Sequence, residues 1–475
     1  MKSYKHEMDM TEGPLFKKIV IFSLPLILTG LLQCFYNAAD LIVVGRFSDE
    51  AVAHIALAAV GSTGALNNLV VGLFMGLSVG AGVCAAQYVG AKQYERVHKV
   101  VHTSVLTAVI LGIVVGAFGF IFARDMLELM GTPDNVIYYS TLYIRIIFCG
   151  VPFLLLYNYC AAILRSTGDT KHPLIFLTIS GIVNVCLNIV MVAVFNMGVA
   201  GVAIATLASQ VLSAVMIVVY MARSDSYIKI SLKELKISKK YLGRMMLIGV
   251  PSGIQGSLFS LSNVIIQSSI NSFGDVVMAG NSAAANIEGF VWIVMNALHQ
   301  AAITFVGQNV GAKKYNRIGK VLIGCFAVLT IMWAVSAGAA FIFREPLLRL
   351  YAGDAPNVIS AGLARMMIIL PSYVLCGYMD TICGALRAMG KSVSAMILTL
   401  IGVCGVRILW VQTVFKVFNT PMSVYISYPV SWTIAAVGNL TMFILVYRKT
   451  LREDHLPEGE FDFLKNFKLK RGKNQ

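Results

Sequence analysis

Three carboxylic acids interrupt long apolar stretches of this 475-residue chain: Asp40, Glu288 and Asp380. An ionised acid is costly inside hydrocarbon, so acids in such stretches usually face a polar interior and mark a functional site. Burial raises the pKa of a carboxyl group and a nearby cation lowers it, which allows a proton and a sodium ion to compete for one site. The three acids therefore predict functional sites within a membrane.

Asp40 shares a helical face with Gln33 and Asn37, because the three positions are spaced i, i+4 and i+7. We assign Asp40 and Asn37 to a cation site, and Gln33 with the neighbouring Tyr36 to substrate binding. Pro25 lies fifteen residues before Asp40 in the same apolar stretch. Its missing amide hydrogen and the clash of its ring can bend the helix there. The alternative is that Asp40 simply ends its helix at the outer membrane interface.

Glu288 heads a second polar face, which continues at i+4, i+8 and i+11 with Trp292, Asn296 and His299. Residues at this spacing lie on one side of a helix, where they could offer charge and an aromatic surface to an organic cation. We assign Glu288, Trp292 and Asn296 to substrate binding, together with Asp380.

Two intramembrane arginines offer another explanation for these acids. Arg365 and Arg407 both fall inside apolar stretches, and buried acids commonly pair with such bases. In that case Glu288 and Asp380 stabilise the fold and contact no ligand. The sequence leaves both roles open.

The composition is that of an integral membrane protein. Hydrophobic residues make up 57% of the chain and charged residues 13%, with a mean hydropathy of +0.76, so lipid must cover much of the surface. A helix needs about 20 mostly apolar residues to cross the hydrocarbon. We predict an all-α membrane protein with twelve transmembrane helices, at residues 17–45, 51–85, 97–122, 137–160, 172–195, 198–222, 243–270, 277–303, 318–343, 357–382, 394–416 and 422–447.

Lysine and arginine set the expected orientation. Thirty of the 38 basic residues fall in alternate connecting segments and the two ends of the chain, which predicts that both termini are cytoplasmic. The formal net charge of +15 follows from the same pattern. Since the basic residues are spread over seven short segments with no aromatic-interleaved basic domain, we expect contact with the lipid bilayer and none with nucleic acid.

The chain also repeats itself. Residues 87–100 reappear as residues 308–321 with nine of fourteen positions identical, and Pro25 has a counterpart in Pro251. Both copies are basic and so face the same side, which relates the halves by an axis along the membrane normal. We predict a six-helix lobe at 1–222, a cytoplasmic linker at 223–240, a second six-helix lobe at 241–447 and a basic tail at 448–475, with Pro25 and Pro251 as helix bends.

The acids do not obey the repeat. At the offset of Pro25 and Pro251, Asp40 corresponds to Ile266; at the offset of the two Leu-Arg-x-x-Gly turns, Asp380 corresponds to Asn158. Duplicated scaffolds that differ in their charged residues are expected to divide their roles, for example ion coupling in one half and substrate binding in the other.

These features together resemble multidrug and toxic compound extrusion (MATE) transporters. The resemblance rests on the proline-containing first helix that runs into Asp40, on the repeated segments 87–100 and 308–321, on the Leu-Arg-x-x-Gly turns at 164–168 and 386–390, and on residues 198–206. It implies a bacterial cytoplasmic-membrane antiporter. Such a protein expels organic, often cationic compounds by alternating access, in exchange for sodium or protons.

The resemblance supplies partners for Asp40. The family's N-terminal cation site maps here to Asn184, Asn188 and Thr206. Asn188 stands where part of the family has aspartate, so the site has one negative charge instead of two. Amide oxygens can still ligate sodium, a hard cation. The alternative role of the two asparagines is hydrogen bonding between helices.

Other function classes are disfavoured. The sequence contains no P-loop and no nucleophile motif, and its nine cysteines are scattered without a spacing typical of zinc. We therefore expect neither an enzyme nor a cofactor, and a monomer is the simplest form. The alternative transporter is a flippase for a lipid-linked or amphipathic substrate, which would need a cationic central cavity.

Overall fold

A computed structural model of the chain describes residues 4–47, 72–353 and 355–453. Twelve helices in this part are long and apolar enough to cross a membrane, and no strand occurs among the described residues. The prediction of an all-α membrane protein with twelve spans is confirmed. Residues 48–71, the part of the predicted tail from residue 454 onward, and the side chain of Asn37 lie outside the described residues.

The helices are numbered α1 to α12, and the names first lobe and second lobe keep to the halves predicted from the sequence, α1–α6 and α7–α12. Those of the first lobe are α1 Leu15–Phe47, α2 Gly72–Gly90, α3 Tyr94–Leu129, α4 Asp134–Ser166, α5 Lys171–Val194 and α6 Gly198–Ala222. Those of the second lobe are α7 Lys239–Asn271, α8 Asp275–Gly311, α9 Tyr315–Ile342, α10 Pro356–Ala388, α11 Ser392–Phe418 and α12 Pro421–Glu453. A short helix, Arg344–Ala352, precedes α10. Each predicted span overlaps one helix, although the beginning of the second falls outside the described residues.

Irregular backbone interrupts several spans. Pro25 lies inside α1 and Pro251 inside α7, where each removes one backbone donor; the bends themselves stay a prediction. α5 ends in the π-helical segment Val190–Val194, and α11 contains another at Ile401–Gly405. Such π segments are rare and often lie at functional sites.

The repeat is visible in the backbone of the turns. Lys92 and Lys313 occupy corresponding positions of the repeated segment, and both adopt a positive φ, of 55° and 56°. Gly168 and Gly390, which close the two Leu-Arg-x-x-Gly turns, also share a positive φ. The turns of the two lobes therefore share their backbone conformation as well as their sequence.

The hydrophobic core of each lobe includes residues from the first helix of the other lobe. The core of the first lobe includes Tyr241, Met245 and Ile248 from the beginning of α7. That of the second includes Ile19 and Phe22 from the beginning of α1. This exchange joins the lobes where α1 and α7 begin.

Two glutamines close the contact between the lobes at the end of the bundle that carries the basic turns, here called the basic end. The Gln87 amide donates to the carbonyl of Ala388 at 2.7 Å, and the Gln308 amide donates to the carbonyl of Ser166 at 2.8 Å. Both glutamines are buried. Each repeated segment thus binds the Leu-Arg-x-x-Gly turn of the opposite lobe.

Two glycines allow α2 and α8 to approach each other closely at this contact. A Cβ atom at Gly90 would lie 1.9 Å from the carbonyl oxygen of Gln308, and one at Gly311 would lie 1.8 Å from that of Gln87. Both distances are far below van der Waals contact, so any side chain would push α2 and α8 apart. The repeated Gln-x-Val-Gly sequence therefore builds a nearly symmetric interlobe latch, formed by Gln87, Gly90, Gln308 and Gly311.

Residues 4–13 cross the basic end and touch both lobes. The amide of Met8 donates to the carbonyl of Thr167 in the first lobe at 2.9 Å. The amide of Met10 donates to the side chain of Gln308 at 3.0 Å, and Asn309 donates to the carbonyl of Met10 at 3.2 Å. Met10 is fully buried, so this segment covers the latch.

Candidate functional site

The candidate site of the first lobe lies where α1 meets α5. The side-chain amide of Asn188 donates to a carboxylate oxygen of Asp40, and also to the side-chain oxygen of Asn184 at 3.2 Å. Asn184 and Asn188 are buried, and Asp40 is half-buried. The i, i+4 spacing of the asparagines points both of them at α1. Three residues that the sequence assigned to one cation site are therefore in one hydrogen-bonded chain.

Within the described part of the chain, the site contains an unused acceptor and no counter-charge. The side-chain oxygen of Asn188 is buried and receives no hydrogen bond within the described residues. No ion pair there involves Asp40 either. A buried oxygen without a donor costs about 1–3 kcal/mol, so the arrangement is suited to a bound cation that the amide oxygen and the carboxylate could share.

The walls of the site are close-packed and largely apolar. The ring of Tyr36 lies so near α5 that a Cβ atom at Gly181 would come within 1.8 Å of it. The Tyr36 hydroxyl donates to the carbonyl of Thr178 at 3.3 Å. Three residues further along α1, Val43 belongs to a small apolar cluster that also includes Val192, and Tyr143 packs against this cluster.

The remaining residues predicted for this region are placed differently. The Thr206 hydroxyl donates to the carbonyl of Val202 in its own helix at 2.9 Å, and no hydrogen bond joins it to Asp40. Gln33 is exposed. The Asn37 side chain lies outside the described residues, so its predicted part in the site is untested.

In the second lobe, Glu288 is held by an arginine. The Arg365 guanidinium donates to both carboxylate oxygens of Glu288, at 2.9 and 2.6 Å, and to the side-chain oxygen of Asn281 at 2.7 Å. Glu288 is 2% exposed and Arg365 is 7% exposed. This is the arginine pairing that the sequence leaves open as an alternative. Direct contact between Glu288 and substrate stays a prediction.

Arg407 is the converse case, a buried cation without an acid. Its guanidinium donates to Ser431 at 3.1 Å and to Asn263 at 3.2 Å, and it lies 4.2 Å from the ring centroid of Tyr428. No carboxylate of the described residues forms an ion pair with it. Neutral oxygens and an aromatic face therefore accommodate its charge.

Asp380 lies beside a histidine–arginine pair. The His299 ring donates from Nδ1 to the backbone carbonyl of Asp380 at 2.6 Å, and its Nε2 accepts from Arg387 at 3.2 Å. The Asp380 carboxylate itself has no hydrogen bond or ion pair within the described residues. Its pairing with Arg365 or Arg407, the other alternative from sequence, is therefore not observed.

The rest of the predicted substrate face is mixed. Trp292 is 47% exposed, whereas Asn296 is half-buried.

The sequence did not decide which of two arginines pairs with Glu288, and it did not indicate the role of Gln87 and Gln308. The signal for the glutamines was present, since both belong to the repeated segment, but their partners lie in the opposite lobe.

Comparison with known proteins identifies the scaffold. The MatE family profile matches the chain twice, at residues 25–190 and 251–411. The two matches begin at Pro25 and Pro251, one in each lobe, and together they cover more than half of the chain.

Individual relatives align over nearly the full length. A protein described as probable multidrug resistance protein YoeA, from Bacillus subtilis, is 28% identical and covers 91% of this chain and 94% of its own length. A solved MOP superfamily transporter from Pyrococcus furiosus, described as having reverse polarity of its binding pocket, superposes with a TM-score of 0.88 at 20% identity, covering 95% of this chain and all of its own. A MATE structure in the bent conformation superposes with a TM-score of 0.87 at 19% identity, covering 96% and 100%.

Proposed function

Because the chain belongs to the MatE family of multidrug efflux transporters, we propose that it is an antiporter that exports small organic cations in exchange for sodium ions or protons. It is a multi-pass membrane transporter and not an enzyme. The observation that carries the proposal is the Asp40 carboxylate, which is half-buried in the first lobe, accepts a hydrogen bond from the amide of Asn188 and pairs with no basic side chain of the described residues. We place the protein in the bacterial cytoplasmic membrane as a monomer with both termini in the cytoplasm.

Ion binding at Asp40 is the proposed coupling step. A sodium ion would take oxygen donors, and the carboxylate of Asp40 and the unused oxygen of Asn188 are two of them. A proton would neutralise the same carboxylate and turn it into a donor. Either ion changes the charge at the junction of α1 and α5, so substrate and ion need only prefer different states of the bundle.

The bundle offers a route for this exchange. The interlobe latch closes the basic end through Gln87 and Gln308. If the basic end is cytoplasmic, as the lysines and arginines predict, the described state is closed toward the cytoplasm. Pro25 lies within α1, the helix that carries Asp40, and one structural relative is described in a bent conformation. We propose that ion binding bends α1 and releases the substrate.

The substrate site is proposed along the inner faces of both lobes. Gln33 and Tyr36 adjoin the ion site on α1, while Asp380 supplies a carboxylate that forms no ion pair among the described residues. Trp292 and Asn296 add aromatic and polar surface. Glu288 contributes little net attraction for a cation, because Arg365 already balances its charge.

A second candidate function is export of an anionic amphipathic compound, such as a lipid-linked sugar. The observation that favours it is Arg407, a buried guanidinium with no acid partner among the described residues. The Pyrococcus relative is described as having reverse polarity of its binding pocket, so the scaffold accommodates pockets of different charge.

Proteoliposomes loaded with ethidium test the proposal under separate sodium and proton gradients. Wild type should export the dye under at least one gradient, and Asp40→Asn should lose at least about tenfold of that rate, since 1.4 kcal/mol of lost coupling already gives this factor. Asp125→Asn, the same change at an exposed acid of α3, is the matched control and should behave as wild type.

The gradient that drives export identifies the ion. Equal rates for wild type and Asp40→Asn would remove Asp40 from the mechanism. Translocation of a labelled anionic lipid, with no gradient-driven ethidium export by wild type, would favour the second candidate.

A further inference from the structure

A cluster of two histidines and a glutamate lies at the basic end, outside the proposed transport path. His98 and His102 are one turn apart at the beginning of α3, and Glu234 belongs to the short 3₁₀ turn Leu232–Glu234 between α6 and α7. One donor atom from each of the three side chains lies within 4.8 Å of the others. We propose that these residues bind a divalent transition metal of the zinc type.

The hydrogen bonds of the histidines expose the nitrogens that a metal needs. Nδ1 of His98 contacts the carbonyl of Tyr227 at 3.2 Å, and Nδ1 of His102 contacts the carbonyl of His98 at 2.9 Å. A carbonyl can only accept, so each Nδ1 carries the proton. Histidines that ligate metals usually donate their second nitrogen in this way, which fixes the tautomer and the ring orientation. In both rings, Nε2 is left to present a lone pair.

Glu234 completes the donor set. Its carboxylate oxygen lies 2.5 Å from Nε2 of His98. Two lone pairs cannot approach so closely without a proton between them, and a bound metal would take the place of that proton. Two imidazole nitrogens and one carboxylate oxygen are a typical zinc ligand set with one position open for water.

Metal binding requires only local movement. Zinc holds such ligands at about 2.0–2.2 Å. Nε2 of His98 and the carboxylate oxygen of Glu234 must therefore move apart, and all three donor atoms must surround one point. The Glu234 side chain is 60% exposed and free to move. Nε2 of His102 now accepts the backbone amide of Ser231 at 3.1 Å, and the metal would replace that bond.

The proposed effect of the metal follows from where its ligands lie. Glu234 lies in the segment that links the two lobes, while both histidines belong to the first lobe. A bound metal fastens the linker to α3 and so restricts how far α7 can move relative to the first lobe. The sequence hid this arrangement because the glutamate is far from the histidines along the chain and no cysteine is involved.

Metal binding to the purified full-length protein tests the proposal. After treatment with a chelator, the protein in detergent is titrated with zinc by calorimetry and with cobalt by visible absorption. Wild type should bind one zinc ion at this site, and its cobalt form should show the absorption of tetrahedral coordination. His98→Gln and Glu234→Gln should each weaken zinc binding at least tenfold.

His172→Gln is the matched control, because His172 also contacts a carboxylate at the basic end, that of Asp169 at 2.6 Å. It should leave the zinc affinity unchanged. Thermal unfolding and size-exclusion profiles establish that each variant is folded, and the exposed Glu234 keeps the test available if His98→Gln does not fold. Zinc affinity unchanged in both cluster variants, or no binding by wild type, would overturn the proposal and leave a proton between His98 and Glu234.

Discussion

The two lobes share helices, turns and a latch, yet they hold two of their acids, Asp40 and Glu288, in opposite ways. In the described part of the first lobe, the Asp40 carboxylate has only the neutral amide of Asn188 as its hydrogen-bond partner. In the second, Glu288 is bonded through both oxygens to Arg365, and Arg407 has neutral partners. An acid held only by amides can gain an ion, whereas an acid bonded to arginine is already neutralised.

This contrast indicates which parts of the duplicated scaffold are constrained. At the basic end the lobes remain nearly symmetric, since Gln87 and Gln308 perform the same contact in opposite directions. Toward the interior the symmetry is lost, and the charged residues no longer correspond. We infer that the closing surface must be preserved in both lobes, while each interior is free to specialise.

The largest effect is expected from breaking the Glu288 and Arg365 pair. Glu288→Gln leaves a buried guanidinium without its counter-charge, which should lower stability by about 3–5 kcal/mol. The double variant Glu288→Gln with Arg365→Met should recover most of that loss. Thermal unfolding in one detergent measures both. Asp40→Asn is the contrasting variant and should change stability little, because no described cation loses a partner; equal destabilisation by Asp40→Asn and Glu288→Gln would erase the distinction between the lobes.

The latch should respond symmetrically. Gln87→Ala and Gln308→Ala each remove one donor to a buried carbonyl, at a cost of about 1–3 kcal/mol. The open basic end should gain population by a similar factor in both variants, seen as faster hydrogen exchange at the turns before α3 and α9. Gln93→Ala, at an exposed glutamine of the same turn, should leave exchange unchanged. A response to only one latch variant would contradict the symmetry.

A smaller effect is expected at Asn188. Asn188→Ala removes the amide beside Asp40 and should raise the ion concentration for half-maximal efflux about tenfold, equivalent to about 1.4 kcal/mol. Asn439→Ala is a close match in the second lobe. Asn439 is also fully buried, its amide donates to Thr399 at 2.8 Å, and its oxygen is also without a donor. If Asn439→Ala shifts the ion dependence as much as Asn188→Ala, the ion site is not confined to the first lobe.

The smallest effect is expected from the two prolines. Pro25→Ala restores a backbone donor in α1 and should slow efflux severalfold, because a straighter helix opposes the proposed bend. Pro251→Ala makes the same change in α7, which carries no acid, and should stay within about twofold of wild type, the range of a change near 0.5 kcal/mol. Initial efflux rates at saturating ion concentration compare the two, and a reversed order would assign the moving helix to the second lobe.

Local pattern was sufficient to predict much of the fold. Twelve long apolar stretches and their charged connections indicated twelve helices, because span length and hydropathy are properties of consecutive residues. The spacing of Asn184 and Asn188 placed both on one helical face, and the structure joins that face to Asp40. The family resemblance was needed to choose α5 as the partner of α1.

Long-range partners were beyond such reasoning. The choice of Arg365 over Arg407 for Glu288 depends on how α8 and α10 dock. Gln87 binds a backbone carbonyl in the other lobe, and backbone acceptors have no signature in sequence. Glu234 lies in a polar linker that no periodic pattern ties to α3. Each of these contacts depends on the packing of helices and not on residue spacing.

Gradient-driven ethidium efflux, measured side by side for Asp40→Asn and for the double variant Glu288→Gln with Arg365→Met, tests the division between the lobes most directly. The double variant should keep at least half of the wild-type rate, since it removes a pair that is already neutral, while Asp40→Asn should fall to the passive leak. Retained coupling in Asp40→Asn together with its loss in a folded double variant would instead place the ion site in the second lobe.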